Sequence, residues 1–319
     1  MQRRDLLWLA GLAAPGLCLT LPALASEREL RIGIQKYGSL VVLKERQLLE
    51  QRLGPQGWTV TWTEFPGGPQ LLEAMNVGAI DIGTTGEAPP VFAQAAGAPL
   101  LYIGYEPPAP QGEAILVPKD SPITDVGGLK GRKVALNKGS NVHYLLVRAL
   151  EAANLAYTDI EPIYLPPADA RAAFERGSVD AWVIWDPFLA AVEKQTGARI
   201  LADGRGVVNN YAYYLAERGY IEKYPQVIQA LFEDTVAQGQ WLRANIKQAA
   251  AIIAPQQGLA NEVVELSLPR YQFGVKPVTA AVAAEQQKIA DVFHQLGLIP
   301  KPIRILDALP GASQTAQAN

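Results

Sequence analysis

Cysteine is almost absent from this chain, and histidine and methionine are scarce. The 319 residues contain one cysteine, two histidines and two methionines. The cysteine, Cys18, lies in an N-terminal apolar run that cleavage would remove, so we expect no disulfide or thiolate site in the rest of the chain. The residue spacings that are typical of metal-ligand sets are missing as well, and we predict neither a metal site nor a cofactor.

Charged residues are also sparse. They make up 18% of the chain, with 28 Lys and Arg against 31 Asp and Glu. This mildly acidic balance lacks the basic footprint of a nucleic-acid-binding protein, so we predict no nucleic-acid partner. No G-x-S-x-G motif, P-loop or paired-carboxylate signature stands out, and we therefore predict that the protein is not an enzyme.

The N-terminus has the features of an export signal. Arg3 and Arg4 precede an apolar run from Leu6 to Leu24, which is too short and too rich in Gly and Pro for a convincing membrane span. Ala23-Leu24-Ala25 is an A-x-A cleavage site. We predict a signal peptide over residues 1–25, export by the Sec or the twin-arginine route, and a periplasmic location. At the other end, the small, polar residues 310–319 are predicted to form a disordered tail.

Two stretches of the chain repeat one order of elements: strand, helix, strand, helix, strand. The first runs from Leu30 to Gly83 and the second from Lys133 to Trp185. The segment Ala74–Asp81 is similar in sequence to Ala173–Asp180. One repeat at this period predicts two related lobes rather than a solenoid. The alternation of strands and helices predicts an α/β fold with parallel-rich sheets flanked by helices.

These patterns give predicted boundaries for the lobes. Residues 26–113 and 212–319 are assigned to lobe 1, and residues 114–211 to lobe 2. The connections between the lobes are expected at 113–118 and 207–215, with hinges at 113–116 and 208–211. We also predict one helix that ends at Leu53, a third strand over Ala79–Gly83, and a helical last third that packs back on the first lobe.

Four strand-to-helix loops are candidates for a binding site. Parallel sheets bind ligands at the carboxyl ends of their strands, so two lobes that face each other would bring such loops together in one cleft. The predicted ligand-binding residues are Gln35, Lys36 and Tyr37; Thr85, Gly86 and Glu87; Ser140, Asn141, Val142 and His143; Trp185 and Asp186; and Asn210 and Tyr213.

The loop before the helix that starts near Ser140 carries the clearest signal. The first turn contains Ser140, Asn141 and His143 but no carboxylate, and Lys138 comes just before it. Free amide groups at a helix start without a negative charge favour an anion. The alternative is an ordinary serine cap whose neighbouring amides meet water.

The acidic residues in the other loops have two interpretations. Glu87 is either a carboxylate favoured at a helix start or a ligand contact. Asp186 followed by Pro187 is typical of an N-cap with proline at the first helical position. Beside an anion, either carboxylate would have to face away, cap a helix, pair with a lysine such as Lys36 or Lys138, or hold a cationic group of the ligand. Trp185 is predicted to be either core or an apolar wall of the site.

At these loops the chain resembles periplasmic aliphatic-sulfonate-binding proteins of ABC importers, within the nitrate/sulfonate/taurine-binding family. The stretches that carry the resemblance are Gln35–Gly38, Glu64–Glu73, Thr85–Gly97, Glu113–Asp120, Leu136–Leu150 and Tyr164–Phe188. The resemblance implies a two-lobed type II periplasmic-binding-protein fold with the ligand cleft between the lobes. It also implies a monomer that closes on a sulfonate and presents it to a membrane permease for sulfur acquisition.

Other functions remain open at this point. Within binding proteins, the ligand could be taurine, nitrate, bicarbonate or another small anion. An enzyme on the same fold, such as a thiamine-pyrimidine synthase, would need a cysteine-rich motif that this chain lacks. A third possibility is a partner of a membrane sensor, which would share the pocket and differ in its docking surface.

Overall fold

Ten strands and twelve α-helices make up the part of the chain that the structure describes. The structure is a computed structural model, and it describes residues 28–311. The predicted signal peptide, residues 1–25, and residues 312–319 of the predicted tail lie outside the described residues. The strands are β1 (Arg28–Ile34), β2 (Trp58–Glu64), β3 (Ile82–Gly86), β4 (Leu100–Glu106), β5 (Glu113–Val117), β6 (Lys133–Leu136), β7 (Glu161–Tyr164), β8 (Ala181–Trp185), β9 (Arg199–Asp203) and β10 (Ala212–Glu217).

The helices alternate with the strands in the first two thirds of the chain and follow one another in the last third. They are α1 (Ser39–Glu45), α2 (Leu48–Leu53), α3 (Gly68–Asn76), α4 (Pro89–Ala95), α5 (Asn141–Ala152), α6 (Pro167–Glu175), α7 (Phe188–Thr196), α8 (Arg218–Lys223), α9 (Pro225–Ala244), α10 (Ile246–Gln257), α11 (Asn261–Ser267) and α12 (Ala280–Gln295). Within residues 28–311, no helix is long and apolar enough to cross a membrane.

The strands form two five-stranded sheets with the same topology. The first sheet has the order β2-β1-β3-β10-β4 and the second the order β7-β6-β8-β5-β9. In each sheet, the strand next to one edge pairs in parallel with both of its neighbours. In the first sheet β1 pairs with β2 and β3, and in the second β6 pairs with β7 and β8. The predicted repeat of two half-units and the α/β class are therefore confirmed.

Each sheet also contains one antiparallel strand, contributed by the chain as it passes between the sheets. β10 runs antiparallel to β3 and β4, and β5 runs antiparallel to β8 and β9. The chain passes between the sheets at residues 107–112 and 204–211. The predicted connection at 113–118 is therefore wrong, because β5 is paired on both sides within the second sheet. The predicted connection at 207–215 is correct for residues 207–211, whereas residues 212–215 belong to β10. Glu113, predicted as the last residue of lobe 1, pairs with Trp185 in the second sheet.

Two other expected boundaries in the first half-unit differ from the structure. The third strand is Ile82–Gly86 rather than Ala79–Gly83, because Thr84 and Thr85 pair with Tyr214 and Tyr213 of β10. The single helix expected up to Leu53 is two helices, since Gln47 between them has a left-handed backbone with φ of 53°. In the second half-unit, by contrast, the predicted strand Lys133–Leu136 is confirmed to the residue.

The helical last third packs on the first sheet, as predicted, and also reaches the second. α9 contacts α1 and α2 beside the first sheet, whereas α11 packs against α7 of the second. A small cluster of Ala190, Ala191 and Val263 is buried between these last two helices. The largest apolar core includes residues from both sheets, among them Tyr102 of β4 and Leu116 of β5. The two halves are therefore in close contact.

Candidate functional site

An enclosed cavity lies where the predicted loops of the two sheets meet. Tyr37, Gly86, Asn141, Trp185 and Asn210 of the predicted set line it. The other lining residues, which the sequence did not indicate, are Glu106, Pro107, Ala109, Tyr211, Ala212, Tyr271 and Gln272. An aromatic wall with a few polar groups is typical of a small-molecule site.

Two glycines on the first-sheet side allow the halves to approach each other at the cavity. A Cβ atom at Gly86 would lie 2.8 Å from the Cβ of Asn141, and one at Gly67 would lie 2.6 Å from Nδ2 of Asn137. Real Cβ atoms do not come this close to other heavy atoms, so larger residues would push the halves apart. A glycine permits either a close approach of another group or a positive φ. It lies in β3 outside the positive-φ glycines, and the close approach is the role it has here.

The start of α5 enters the cavity from the second sheet. Asn141 is the first residue of this helix, and its first turn contains no acidic side chain. The N–H groups of a first turn have no acceptor within the helix, and they carry the positive end of the helix dipole. Ser140 occupies the N-cap position, but its hydroxyl donates to the carbonyl of Asn137 at 2.7 Å. The side chain of Ser140 therefore does not cap α5, because its hydroxyl is bonded to the preceding loop. The alternative of an ordinary serine cap is wrong.

Asn137 is not in the predicted ligand-binding set, but its side chain carries a buried polar group without a partner. The residue is 7% exposed, and its Nδ2 is buried without a hydrogen-bond partner. A buried amide donor without an acceptor costs free energy, of the order of 1–3 kcal/mol. Asn137 and Ser140 bracket the turn at Gly139, whose φ is +75°. Asn137 comes four residues before Asn141, and its side chain borders the open groove beside Lys138 and Tyr164, with Nδ2 close to Gly67 of the first half.

The polar residues predicted on the first-sheet side are mostly bonded within that side. Gln35 donates through Nε2 to the carbonyl of Thr84 at 3.0 Å and to the hydroxyl of Tyr37 at 3.4 Å. The hydroxyl of Thr85 donates to the carbonyl of Gly86 at 2.9 Å. Gln35 and Thr85 thus position the cavity-lining residues Tyr37 and Gly86.

The lysines of the two equivalent loops do not line the enclosed cavity. Nζ of Lys36 donates to the carbonyl of Gln257 at 3.0 Å and lies 3.8 Å from a carboxylate oxygen of Glu64. Nζ of Lys138 lies 5.3 Å from the centre of the Tyr164 ring and borders a more open groove. Lys36 is therefore held at the edge of the site by groups of its own side of the molecule.

Three other predicted residues are packed into the core around the cavity. Val142 is fully buried, and Tyr213 is buried with its ring against Tyr102 at a centroid distance of 5.1 Å. His143 is also fully buried, and its Nδ1 accepts from the amide of Gly139 at 3.2 Å. Burial, and then the charge of Lys138, lower the pKa of His143 to about 4, so its imidazole is neutral at pH 7.

His143 lies in a cluster of aromatic rings drawn from both sides. Its ring is 6.4 Å from that of Phe92 and 5.5 Å from that of Phe293, and it is 5.4 Å from that of Tyr157 in the second half. Nε2 has no hydrogen-bond partner. The structure therefore places His143 in the contact between the halves rather than among the residues that line the cavity.

Two buried glutamates lie close to the cavity. Glu87 accepts the amide of Tyr211 with Oε2 at 3.0 Å, and its Oε1 has no partner. Glu113, at the start of β5, accepts Nδ2 of Asn141 with Oε2, and its Oε1 also lacks a partner. Burial raises the pKa of Glu87 to about 7. Burial, and then repulsion from Glu87, raise the pKa of Glu113 well above its usual range. Glu113 was predicted as a hinge residue, and its place at the head of an apolar run was the available signal for a buried acid.

Asp186 is held by Arg270, a residue that no sequence motif indicates. Arg270 donates from Nη1 to both carboxylate oxygens of Asp186, at 3.3 and 3.2 Å, and from Nη2 to Glu193 at 2.8 Å. The hydroxyl of Tyr271 donates to the carbonyl of Asp186 at 3.0 Å. These contacts join the helical last third to the second sheet.

The predicted capping geometry at Asp186 is wrong by one residue. Pro187 occupies the N-cap position and α7 begins at Phe188. Asp186 nevertheless accepts the amide of Ala190 in the first turn at 2.9 Å. It lies one residue ahead of the cap, where its carboxylate reaches both the helix and Arg270.

Comparisons with known proteins are extensive. The sequence model of the NMT1-like family matches residues 26–254. A relative from Escherichia coli (strain K12), provisionally named an aliphatic sulfonates-binding protein, is 48% identical over 299 residues, which cover 93% of each chain. The solved periplasmic aliphatic sulphonate binding protein SsuA from Escherichia coli is 48% identical, with a TM-score of 0.81 over 88% of this chain and 92% of that one.

A second solved structure contains a bound molecule. The alkanesulfonate-binding protein SsuA from Xanthomonas axonopodis pv. citri, bound to MOPS, is 43% identical. Its TM-score is 0.85, and the match covers 88% of this chain and 98% of that one. These likenesses extend over both sheets and the helical last third.

Proposed function

Because the chain belongs to the NMT1-like family, we propose that it is a periplasmic solute-binding protein that captures aliphatic sulfonates and delivers them to the permease of an ABC importer. The two similar solved proteins are named for binding sulfonates, and one of them is described as periplasmic. The predicted signal peptide over residues 1–25 supports the same location. In this proposal the protein acts as a monomer, performs no chemistry on its ligand, and serves the acquisition of sulfur.

One observation carries the proposal: the unpartnered amide of Asn137 beside the acid-free start of α5. A sulfonate is a monoanion with three acceptor oxygens, which suits a set of fixed N–H donors at the positive end of a helix. Because the donors are already buried, they lose little hydration when the anion binds. We assign the sulfonate head to Asn137 and to the first-turn amides of Asn141 and Val142.

The walls of the cavity suit the rest of the ligand. Tyr37 and Tyr271 stack at 5.6 Å with their planes 10° apart, and Trp185 lies edge-on to Phe188 at 6.2 Å. Aromatic faces of this kind cover an organic tail and exclude water from it. Nitrate and bicarbonate have no tail, so the same walls give them little additional free energy of binding. This favours a sulfonate over those anions.

Binding is coupled to the approach of the two halves. The cavity takes its walls from both sheets, and Gly67 and Gly86 permit contacts that depend on that approach. A ligand that touches both halves stabilises the closed arrangement by its difference in affinity for the closed and open forms. We expect the backbone at residues 107–112 and 204–211 to change conformation when the two halves approach each other. Scattering should then show a smaller radius of gyration with ligand than without it.

Isothermal titration calorimetry of residues 26–319 tests the proposal. The protein is first unfolded and refolded in sulfonate-free buffer, which removes any ligand carried through purification. The panel comprises ethanesulfonate, octanesulfonate, taurine, a buffer sulfonate, sulfate, nitrate and bicarbonate. We expect micromolar or tighter binding of sulfonates and no response to nitrate or bicarbonate. A folded protein that binds none of the sulfonates would overturn the proposed ligand.

The Asn137→Leu variant supplies a matched test of the site. Leucine has the same branched skeleton as asparagine but lacks the donor, so we expect sulfonate affinity to fall about tenfold or more. Asn76→Leu, on the far end of α3, is the control for an asparagine outside the site. Equal affinity of the Asn137→Leu variant and the wild type would show that this amide does not hold the ligand. Pulldown experiments with the permease and, separately, with a membrane sensor would show which of the two is the partner.

A further inference from the structure

Two buried glutamates lie where the halves meet, and each half contributes one of them. Glu87 follows β3 of the first sheet and Glu113 begins β5 of the second. They are 1% and 0% exposed. Oε2 of Glu87 accepts the amide of Tyr211, and Oε2 of Glu113 accepts Nδ2 of Asn141, so both partners are uncharged amides. In each glutamate the other oxygen, Oε1, is buried without a hydrogen-bond partner among the described residues.

Asn141 connects the two glutamates across the contact between the halves. A Cβ atom at Gly86 would lie 2.8 Å from the Cβ of Asn141, whose amide in turn donates to Glu113. Because Gly86 directly precedes Glu87, this close packing also brings Glu87 towards Glu113. Burial, and then repulsion from Glu87, raise the pKa of Glu113 well above its usual range. The approach of the halves therefore places two acids within each other's electrostatic reach.

The side chains around this pair are acidic or neutral. Among the described residues, the titratable groups within its electrostatic reach are another acid, Glu285 of α12, and the phenols of Tyr37, Tyr144, Tyr211, Tyr213 and Tyr271. Burial raises the pKa of all these phenols, so they are neutral at pH 7. Arg270, next to Tyr271 in the chain, is engaged by Asp186 and Glu193. These surroundings therefore supply no cation for the pair.

Two ionised carboxylates at this position would be costly. Burial without a cation opposes ionisation, and the repulsion between like charges adds to that cost. A proton on one carboxyl removes the repulsion and one of the buried charges. Oε1 of Glu113 can carry the proton, because Oε2 already accepts from Asn141 whereas Oε1 is unpartnered.

Glu106 is a buried acid of a different kind. It lines the cavity, is 4% exposed, and accepts the hydroxyls of Ser39 at 2.7 Å and Tyr214 at 2.9 Å. Glu106 and both partners belong to β4, α1 and β10, which are all in the first half. A movement of one half relative to the other leaves these hydrogen bonds in place. The pair of Glu87 and Glu113 differs because it is assembled from both halves.

We propose that closure of the halves on a ligand binds one proton to the pair of Glu87 and Glu113, so that ligand affinity falls as pH rises. The inference rests on the proposed function, because it assumes that an anion at the start of α5 draws the halves together. In the open form, water reaches both carboxyls, and both ionise at neutral pH as ordinary acids do. Closure then takes up a proton, and a higher pH, which removes that proton, opposes closure. A neutral member of the pair also repels a bound anion less.

Calorimetric titration of the stripped wild-type protein with ethanesulfonate measures the proton uptake directly. This ligand does not titrate near pH 7, so a proton taken from the buffer is bound by the protein. The titration is run at pH 7 in cacodylate and in imidazole, which contain no sulfonate and differ in ionisation enthalpy. The dependence of the binding enthalpy on the buffer gives the number of protons. We expect about half a proton or more per ligand, and an affinity about threefold to tenfold lower at pH 8 than at pH 7.

A variant locates the proton. Glu113→Gln keeps an oxygen that can accept Nδ2 of Asn141 but cannot titrate, so the uptake should fall by about half or more and affinity should change less with pH. Glu161→Gln, at the exposed first residue of β7, makes the same change of net charge away from the pair and should behave as the wild type. His143 and Asp186 are present in all three proteins, so their protons largely cancel in the comparison.

The outcomes separate the inference from the proposed function. If the wild type binds ethanesulfonate without proton uptake and with equal affinity at pH 7 and pH 8, the inference is overturned while sulfonate binding stands. Equal uptake in Glu113→Gln and the wild type would place the proton elsewhere and overturn it as well. If Glu113→Gln does not fold, Glu87→Gln replaces it and should also reduce the uptake, because the repulsion is removed. If the wild type binds no sulfonate, the proposed function fails and the inference fails with it.

Discussion

Glu87 and Asp186 follow equivalent strands of the two sheets, and the structure treats them differently. Each carboxyl is buried after the third parallel strand of its half-unit, and burial raises the pKa of each to about 7. Asp186 has Arg270 and the amide of Ala190 as partners. Glu87 has backbone amides on one oxygen and no partner on the other.

This difference separates a structural acid from one that is available to a ligand. The attraction of Arg270 lowers the pKa of Asp186 and works against the effect of burial. At a distance of 3.2 Å from a guanidinium group, this carboxylate serves the contact between the halves. Glu87 lies beside Glu113 and the cavity without such a cation. Repeated topology therefore does not imply repeated chemistry, and the following changes test the contrast.

Removal of Arg270 should have the largest effect. Arg270→Met leaves Asp186 buried without its cation, and we expect the free energy of unfolding at pH 8 to fall by about 3 kcal/mol. The double variant Arg270→Met/Asp186→Asn should recover most of this loss, because it no longer buries an unpaired charge. Urea unfolding curves measure both. Arg205→Met, which breaks an exposed pair with Asp203, is the control and should cost under about 1 kcal/mol. An equal loss in the single and double variants would contradict the pairing.

Glu87 should make the folded protein less stable as pH rises. An acid whose pKa is lowered in the folded state has the opposite effect. Its pKa is raised from an ordinary 4.5 to about 7, so the folded state holds the proton more tightly than the unfolded state. Stability from this group is greatest at low pH and is lost as pH rises from about 4.5 to about 7. Wild type should therefore lose up to about 3 kcal/mol relative to Glu87→Gln over that range.

Urea unfolding of both proteins at steps from pH 5 to pH 8, without added sulfonate, measures this difference. Asp186 and His143 are present in both proteins, so their contributions largely cancel. The pKa of Glu113 is lower in the variant, because the repulsion from Glu87 is removed, and this adds to the difference. A difference that stays constant across the range would show that Glu87 titrates normally.

Gly86→Ala should have a smaller effect, confined to ligand binding. The new Cβ would lie 2.8 Å from that of Asn141, so the halves could not approach as closely. We expect sulfonate affinity to fall about tenfold, with little change in thermal stability. Gly54→Ala is the control, because Gly54 has a helical φ of −54° and no other atom within 4 Å of its Cβ position. Unchanged affinity in Gly86→Ala would mean that binding does not require this approach.

The parts of the fold that depend on local sequence were predictable, and those that depend on distant partners were not. The strand before α5 was predicted to the residue, since apolar residues, a glycine turn and a polar cap occur together there. The bounds of β3 were misplaced by three residues because its partner β10 comes more than a hundred residues later. Antiparallel pairing with that strand extends β3 through Thr84, Thr85 and Gly86.

The same limit applies to the site. Tyr37, Gly86, Asn141, Trp185 and Asn210 could be placed in one cavity from the topology of strand-end loops. Arg270 and Tyr271 lie 84 and 85 residues from Asp186, in a segment without a motif, and only the folded chain brings them together. The roles of the predicted residues in binding remain predictions.

A crystal structure with 2-bromoethanesulfonate, phased on anomalous scattering, tests the central claim most directly. The sulfur and bromine peaks locate the head and the tail of the ligand separately. We predict the sulfur peak beside the first-turn amides of α5 and Nδ2 of Asn137, and the bromine peak among Tyr37, Tyr271 and Trp185. A sulfur peak away from both the first turn of α5 and Asn137, such as in the groove beside Arg243 and Phe273, would contradict the assignment of α5 as the sulfonate site.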